Sequence, residues 1–117
     1  MWKGAFRMVP EIEVAALAAA RDRGARIVDV RSAEEFARGH VPGAENVPLE
    51  EVLAAPERFA GAAPHVVCQA GGRSATATEA MNAAGARAVS VAGGTAAWAE
   101  AGYEIATGDA AGGGARC

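Results

Sequence analysis

The sequence predicts a single α/β domain in which helices cover both faces of a parallel β-sheet. Short apolar runs rich in β-branched residues alternate with helix-compatible stretches along most of the chain, and that alternation is typical of parallel sheets. With 117 residues, of which 51% are hydrophobic, the chain is long enough to bury one core without disulfides or metals to support it. Length, composition and alternation therefore agree on the fold class.

Four segments have the composition of strands. The clearest, over residues 26–30, is short enough to be a central parallel strand. Another buried strand is expected where a short apolar run leads into Cys68. The predicted strands span residues 5–9, 26–30, 65–69 and 87–91, and the Pro42-Gly43 turn leads into residues 44–47.

The helices of the first half are predicted from their end signals. A helix over residues 11–23 starts after Pro10, with acidic residues early, arginines late and a glycine at its end, which suits the helix dipole. A shorter helix follows, with Ser32 as N-cap and Glu35 completing a capping box, and it ends at Gly39. The later predicted helices span residues 49–53, 56–60, 74–84 and 95–101.

Cys68 carries most of the functional information. It stands at the exit of a predicted strand and precedes a loop containing Gly71 and Gly72, and then a helix. Backbone N–H groups of such a loop can surround the sulfur, and the helix N-terminus adds positive potential. Because both features stabilise a thiolate, we expect Cys68 to be an acidic nucleophile rather than a buried structural cysteine.

The residues after Cys68 are expected to form a substrate-binding loop. They include no acidic side chain, and their backbone N–H groups suit an anionic sulfur. We expect Arg73 to hold an anionic donor or a persulfide rather than to pair with a surface carboxylate. Ser74 is expected to cap the helix rather than to contact sulfur. The loop comprises Gln69, Ala70, Gly71, Gly72, Arg73 and Ser74.

Three motifs together resemble the rhodanese homology domain. One combines residues 28–31, the Glu35-Phe36 pair, the run G-H-V-P-G-A over 39–44 and Asn46; the second is C-Q-A-G-G-R-S over 68–74; the third is Gly93-Gly94 with Ala97 and Trp98. They span residues 27–98 in the order found in the family. The resemblance implies a rhodanese-like fold with a five-stranded parallel sheet and helices on both faces.

The resemblance also implies a sulfurtransferase of the thiosulfate sulfurtransferase type. Cys68 would take a sulfane sulfur from thiosulfate or a persulfide, hold it as a persulfide, and pass it to cyanide or a thiol. The expected partners are small sulfur donors and acceptors, or a protein persulfide. Because Gln69 and Ala70 are uncharged where thiosulfate-preferring members carry basic residues, we expect persulfide handling rather than fast thiosulfate:cyanide transfer.

No cofactor or metal is expected. His40, His65 and the two cysteines have no metal-binding spacing. We expect Asp29 and Arg31, which flank the end of a strand, to form a buried ion pair or loop brace that supports the site. His40 is expected to be a hydrogen-bonded structural residue, since an ionised thiol needs no base.

Two other functions are considered. The active-site sequence of a phosphatase or arsenate reductase on the same fold resembles C-x5-R, with five residues between cysteine and arginine. Here four residues separate Cys68 from Arg73. The shorter loop is expected to fit a sulfur atom better than a phosphate. A non-catalytic rhodanese-like binding module is the second alternative, but such modules typically lack the cysteine.

Charge and composition set the expected environment. The net charge is −3 and the basic residues are scattered, so no nucleic-acid partner is expected. No apolar run approaches membrane-spanning length, and residues 1–10 lack the apolar stretch of a signal peptide. With two cysteines and no disulfide framework, we expect a cytoplasmic protein, either a monomer or a weak dimer.

The last segment is rich in glycine and alanine. We expect residues 1–105 to form the domain and residues 106–117 to be a flexible tail, because the tail has almost nothing to bury. Cys117 could reach the site if the tail folded back, but we expect no role for it.

Overall fold

The computed structural model describes residues 9–108, and those residues contain one five-stranded sheet. Its strands are β1 (Glu11–Ile12), β2 (Ile27–Asp29), β3 (Glu45–Asn46), β4 (His65–Val67) and β5 (Val89–Val91). All neighbouring pairs are parallel, and the order across the sheet is β1-β5-β4-β2-β3. The five-stranded parallel sheet expected from the sequence is confirmed.

Five α-helices and one short 3₁₀ helix connect the strands in the described part of the chain. The α-helices are α1 (Val14–Asp22), α2 (Ala33–Arg38), α3 (Leu49–Ala54), α4 (Gly72–Ala83) and α5 (Gly94–Glu100), and the 3₁₀ helix is Pro56–Phe59. No helix within residues 9–108 is long and apolar enough to cross a membrane.

The core has two layers, one on each face of the sheet. Adjacent residues of a strand point to opposite faces, so Val66 of β4 packs in one layer and Val67 in the other. The first layer is completed from α3, the 3₁₀ helix and α4, and the second from α1, α2 and α5. Phe59 in the first layer and Phe36 in the second are each 1% exposed. Helices therefore cover both faces, as predicted.

The beginning of the domain differs from the prediction. The edge strand is Glu11–Ile12 rather than residues 5–9, and α1 starts at Val14. The edge of β5 presents N–H groups that need acceptors, and they bond the carbonyl oxygens of Pro10 at 2.8 Å and Ile12 at 2.8 Å. A proline can serve there because only its carbonyl is used. Residues 5–8 lie outside the described residues.

The capping box predicted for α2 is present. The Glu35 N–H donates to Ser32 Oγ at 3.2 Å, and the Ser32 N–H donates to Glu35 Oε1 at 3.1 Å. Gly39 ends the helix as predicted. These hydrogen bonds fix the position of the Glu35 side chain at the start of α2.

The predicted domain boundary at residue 105 falls inside a segment that is hydrogen-bonded to the domain. Ala106 exchanges two backbone hydrogen bonds of 2.9 Å with His40, and the Gly108 N–H donates to Ala37 O at 2.9 Å. His40 is fully buried, stacks on Phe36 at 3.7 Å and contacts the Phe36 carbonyl through Nδ1 at 2.8 Å. The structural role expected for His40 is confirmed. The rest of the predicted tail, including Cys117, lies outside the described residues.

A pair of truncations tests this boundary. Ending the chain after Ile105 removes three backbone hydrogen bonds, whereas ending it after Gly108 keeps them. At about 1 kcal/mol net for each bond, the shorter protein should be less stable than the longer one by roughly 1–3 kcal/mol. Urea unfolding of the two proteins measures the difference, and equal stabilities would contradict the assigned role of residues 106–108.

Candidate active site

Cys68 lies directly after β4, at the carboxyl edge of the sheet, and is 1% exposed. Its sulfur accepts hydrogen bonds from the backbone N–H groups of Gly71 at 3.1 Å and Ser74 at 3.3 Å. The backbone of Ala70 also helps to lower the pKa of the thiol. Two backbone donors of one short loop therefore converge on a single atom, as the sequence led us to expect.

The loop reaches this shape through Gly71. Gly71 is the N-cap of α4 and has φ of +120°, a conformation that residues with a Cβ rarely adopt. The turn brings Ser74, the third residue of the 12-residue helix α4, back to the sulfur. The first-turn N–H groups of a helix have no partner within the helix, and here one of them bonds Sγ.

These contacts control the protonation of the thiol. Burial raises the pKa of Cys68, but the hydrogen bonds from the Ser74 hydroxyl and from the N–H groups of Ser74, Gly71 and Ala70 outweigh it. The net effect lowers the pKa below the ordinary thiol value. Cys68 thus combines a protected position with enhanced thiolate character, which is the condition for a selective nucleophile.

Ser74 does not have the capping role predicted for it. The N-cap of α4 is Gly71 and makes no side-chain cap. The Ser74 hydroxyl instead lies 3.6 Å from the sulfur, donates to Gly71 O at 3.1 Å and lies 2.7 Å from the hydroxyl oxygen of Ser90. The prediction was wrong because the helix starts two residues earlier than residue 74, which moves Ser74 from the cap into the first turn.

The start of α5 holds the loop from the other side. The Thr95 N–H donates to Cys68 O at 2.8 Å, and the Ala96 N–H donates to Gln69 O at 3.0 Å. This requires close approach: a Cβ on Gly94 would collide with Cys68 O and lie 2.9 Å from Gln69 O. The Gly93-Gly94 motif of the sequence thus allows a helix N-terminus to contact the backbone on which the nucleophile stands.

The buried ion pair expected between Asp29 and Arg31 is present. Two guanidinium nitrogens of Arg31 contact the Asp29 carboxylate at 2.9–3.2 Å, and the two residues are 4% and 0% exposed. Arg31 also donates to Gln69 Oε1 at 3.2 Å and to Gly39 O at 2.7 Å. Arg31 therefore holds Gln69, the loop residue next to Cys68, while the Asp29 carboxylate neutralises the charge of Arg31.

Arg73 pairs with a carboxylate, the alternative that the sequence analysis disfavoured. Its guanidinium makes a two-point ion pair with Glu35, at 2.8 and 2.9 Å. The Arg73 hydrogen bonds lower the pKa of Glu35 to about 2, against a desolvation effect in the opposite direction. The loop itself has no acidic side chain, but α2 supplies one through the capping box. Arg73 therefore anchors the loop to α2.

A cleft of about 380 Å³ opens beside the loop. Its walls combine apolar groups with the side chains of Arg31, Glu35, Arg38 and Gln69. The remaining lining residues are Gly39, Thr95, Ala96, Ala99 and Ile105. The Thr95 hydroxyl has no hydrogen-bond partner within residues 9–108. The cleft has the size and polarity for a small molecule, and one of its walls is Gln69, the residue after Cys68.

Two contributors were not predicted as site residues. Glu35 was identified as a helix cap and as part of a family motif but was given no role at the site, since nothing in the sequence places α2 beside the loop. Ser90 stands between two valines in β5, and a serine inside a buried strand was the available signal.

The predicted core placement of Trp98 is confirmed, with its Nε1–H donating to Glu104 O at 2.7 Å. Among residues 9–108, no cluster of His, Cys, Asp and Glu could hold a metal ion.

Comparison with known proteins places this site in a family. A family model for the rhodanese-like domain matches residues 13–101, which include the loop, the Asp29–Arg31 pair, Glu35 and α5. The chain belongs to the rhodanese-like domain family. No curated protein matches the chain, so the family assignment comes from this model and from solved structures.

Several solved structures are similar along most of the rhodanese-like domain. A rhodanese-like domain protein from Staphylococcus aureus is 33% identical, with a TM-score of 0.72 over 85% of this chain and 100% of that one. The human single-domain sulfurtransferase TSTD1 is 30% identical, with a TM-score of 0.70 over 80% of this chain and 97% of that one. A thiosulfate sulfurtransferase from Pseudomonas aeruginosa is 24% identical, with a TM-score of 0.78 over 88% of this chain and 21% of that one; it is similar in fold alone.

Gly94→Ala tests the close approach of α5 to the loop. The added methyl group must displace the peptide after Cys68, so stability should fall by about 2 kcal/mol or more, and the alkylation rate of Cys68 should change. Gly72→Ala is the matched control, because a Cβ there meets nothing within 4 Å. Thermal unfolding and iodoacetamide labelling measure both variants; equal behaviour would contradict the packing argument.

The pH dependence of stability tests the Arg73–Glu35 pair. The pKa of Glu35 is lowered from 4.5 to about 2, so its stabilisation is fully present above pH 4.5 and is lost as the pH falls towards 2. The side chains are 40% and 25% exposed, so solvent screening limits the effect to about 1 kcal/mol. Glu35→Gln should therefore be less stable than wild type at pH 7 and equal to it near pH 2.

Urea unfolding across that pH range provides the measurement. Glu34→Gln, which removes an exposed carboxylate from the same turn of α2, is the control and should cost little at any pH. A Glu35→Gln deficit that persisted at pH 2 would show that lost packing, not lost charge, causes it.

Proposed function

We propose that this domain is a sulfurtransferase that carries sulfane sulfur as a persulfide on Cys68. The observation that supports this most directly is the convergence of backbone N–H groups from Gly71 and Ser74 on one sulfur atom. Such a donor set stabilises negative charge on sulfur without a metal or a general base. The similarity to the human single-domain sulfurtransferase TSTD1 supports the same activity.

The proposed first half-reaction forms the persulfide. The Cys68 thiolate attacks the sulfane sulfur of thiosulfate, a bond forms between Sγ and that sulfur, and the donor's sulfur–sulfur bond breaks to release sulfite. With a persulfide donor, the leaving group is a thiolate. The new terminal sulfur carries the negative charge, and the loop donors are placed to stabilise it.

The proposed second half-reaction regenerates the thiolate. An acceptor such as cyanide or a thiolate attacks the terminal sulfur, the bond to Sγ breaks, and Sγ leaves with the electron pair. The same N–H groups stabilise the leaving thiolate, so one loop serves both steps. The cleft lined by Arg31, Gln69 and Arg38 would take the donor and then the acceptor, and a protein persulfide is a further candidate donor.

The loop suits sulfur better than phosphate. A phosphatase needs donors spread around three oxygens and a free arginine, whereas the donors here converge on one atom and Arg73 is bound by Glu35. A purely binding role is disfavoured because the donor set is built around a thiol. A thiol that must stay unoxidised to begin each turnover fits a reducing compartment, and we propose the cytoplasm.

Mass spectrometry of peptides after incubation with thiosulfate tests the proposal. The peptide that contains Cys68 should gain the mass of one sulfur atom, and cyanide should remove it. Cys68→Ser should gain no sulfur although it folds, whereas Cys117→Ser should behave as wild type.

Glutathione persulfide, used as a second donor in the same experiment, separates the two donor classes. Absence of sulfur on Cys68 with both donors would contradict the proposed function, as would sulfur uptake by folded Cys68→Ser. Cys68-dependent release of phosphate from an aryl phosphate would instead favour the phosphatase alternative.

A further inference from the structure

Ser90 is a fully buried hydroxyl in the middle of β5. A buried hydroxyl without a hydrogen-bond partner is costly, and the Ser90 side chain has one partner within residues 9–108, the Ser74 hydroxyl at 2.7 Å. The hydroxyl groups of Ser90 and Ser74 thus form a hydrogen-bonded pair, and Ser74 in turn lies beside the sulfur of Cys68. Ser90 does not contact Cys68 itself.

The number of protons determines the direction of these hydrogen bonds. Each hydroxyl has one proton and can accept two hydrogen bonds. The Ser90 proton has no other acceptor among the described residues, so Ser90 donates to Ser74. The Ser74 proton is then free for one of its two other neighbours, the Gly71 carbonyl at 3.1 Å or the Cys68 sulfur at 3.6 Å.

The choice depends on the state of the sulfur. While Cys68 is a thiol, its S–H can donate to Ser74 Oγ and the Ser74 proton goes to Gly71 O. Once the sulfur is a thiolate, it has no proton to donate and attracts one. Turning the Ser74 proton towards the sulfur leaves no orphaned carbonyl, because Gly71 O still accepts from the Ala75 N–H at 3.1 Å.

We propose that Ser90 is a positioning residue for Cys68: its hydroxyl donates to Ser74 and thereby reserves the Ser74 proton for the anionic sulfur. The Ser74 hydroxyl then adds a side-chain donor to the backbone N–H groups of Gly71 and Ser74. The thiolate is the attacking group in the first half-reaction and the leaving group in the second. Ser90 and Ser74 therefore stabilise it in both half-reactions. This role in turnover rests on the proposed function, but the hydrogen-bond assignment does not.

The charged groups around the loop are not part of this pair. Arg73 is bound by Glu35 on α2, and Arg31 is bound by Asp29 on β2. None of the four makes a hydrogen bond to Ser90 among the described contacts. Removing the Ser90 hydroxyl therefore leaves the charges near Cys68 unchanged, and a change in thiol reactivity can be attributed to the hydroxyl pair.

The experiment measures the alkylation rate of Cys68 by iodoacetamide as a function of pH. A Cys117→Ser background leaves one thiol in the chain. Ser90→Ala should move the midpoint of the profile upward by about half a pH unit, equivalent to about threefold less thiolate below the midpoint. Ser74→Ala should move it at least as far, and Ser74→Ala with Ser90→Ala should move it no further than Ser74→Ala alone.

Two further variants separate positioning from packing. Ser90→Thr keeps the hydroxyl and should restore the wild-type profile. Thr78→Val removes another fully buried hydroxyl of α4, one without a partner among the described residues, and should leave the profile unchanged. Thermal unfolding verifies that each variant is folded at the temperature of the assay.

The outcomes are decisive in either direction. An unchanged midpoint in folded Ser90→Ala, additive shifts in the double variant, or an equal shift in Thr78→Val would overturn the assignment. Alkylation reports on the thiol without any sulfur transfer, so failure of the positioning role and failure of the proposed sulfurtransferase activity give different results. If Ser90→Ala shifted the midpoint of the alkylation profile but left sulfur uptake unaltered, Ser90 would still position the Ser74 proton, but this role would not limit turnover.

Discussion

The convergence of several hydrogen-bond donors on the Cys68 sulfur is the interaction on which the site depends. A thiol placed at the end of a buried strand would ordinarily be inert, because burial disfavours the thiolate. Here the Ser74 hydroxyl and the backbone N–H groups of Ser74 and Gly71 reverse that effect. All of these donors belong to one short loop, so the chemistry of the site depends on the shape of that loop together with the Ser74 hydroxyl.

The rest of the domain keeps that shape. The N-terminus of α5 bonds the carbonyl groups of Cys68 and Gln69, the buried Asp29–Arg31 pair holds the Gln69 side chain, and Glu35 holds Arg73. These three anchors come from separate elements, all of which meet at the carboxyl edge of the parallel sheet. The topology that places β4 between β5 and β2 is what allows both neighbours to support the nucleophile.

Much of this could be predicted from local signals. The alternation of strands and helices gave the fold class, and the glycines after Cys68 indicated a donor-rich loop. Long-range partners could not be predicted, because they depend on which elements become neighbours. Arg73 lies in the loop, but its partner Glu35 lies on α2. Ser74 was predicted to be a helix cap because the start of α4 was placed two residues too late. The edge strand was misplaced because pairing with β5, not local propensity, determines it.

The most direct test of the account is the pH dependence of sulfite release from thiosulfate in a single turnover. If the loop donors stabilise the Cys68 thiolate, the midpoint of the rate profile should lie below the pH at which an ordinary cysteine, with a pKa of about 8.5, loses its proton. A midpoint at or above about 8.5 would show that the donors do not stabilise the anion. That result would contradict the central claim.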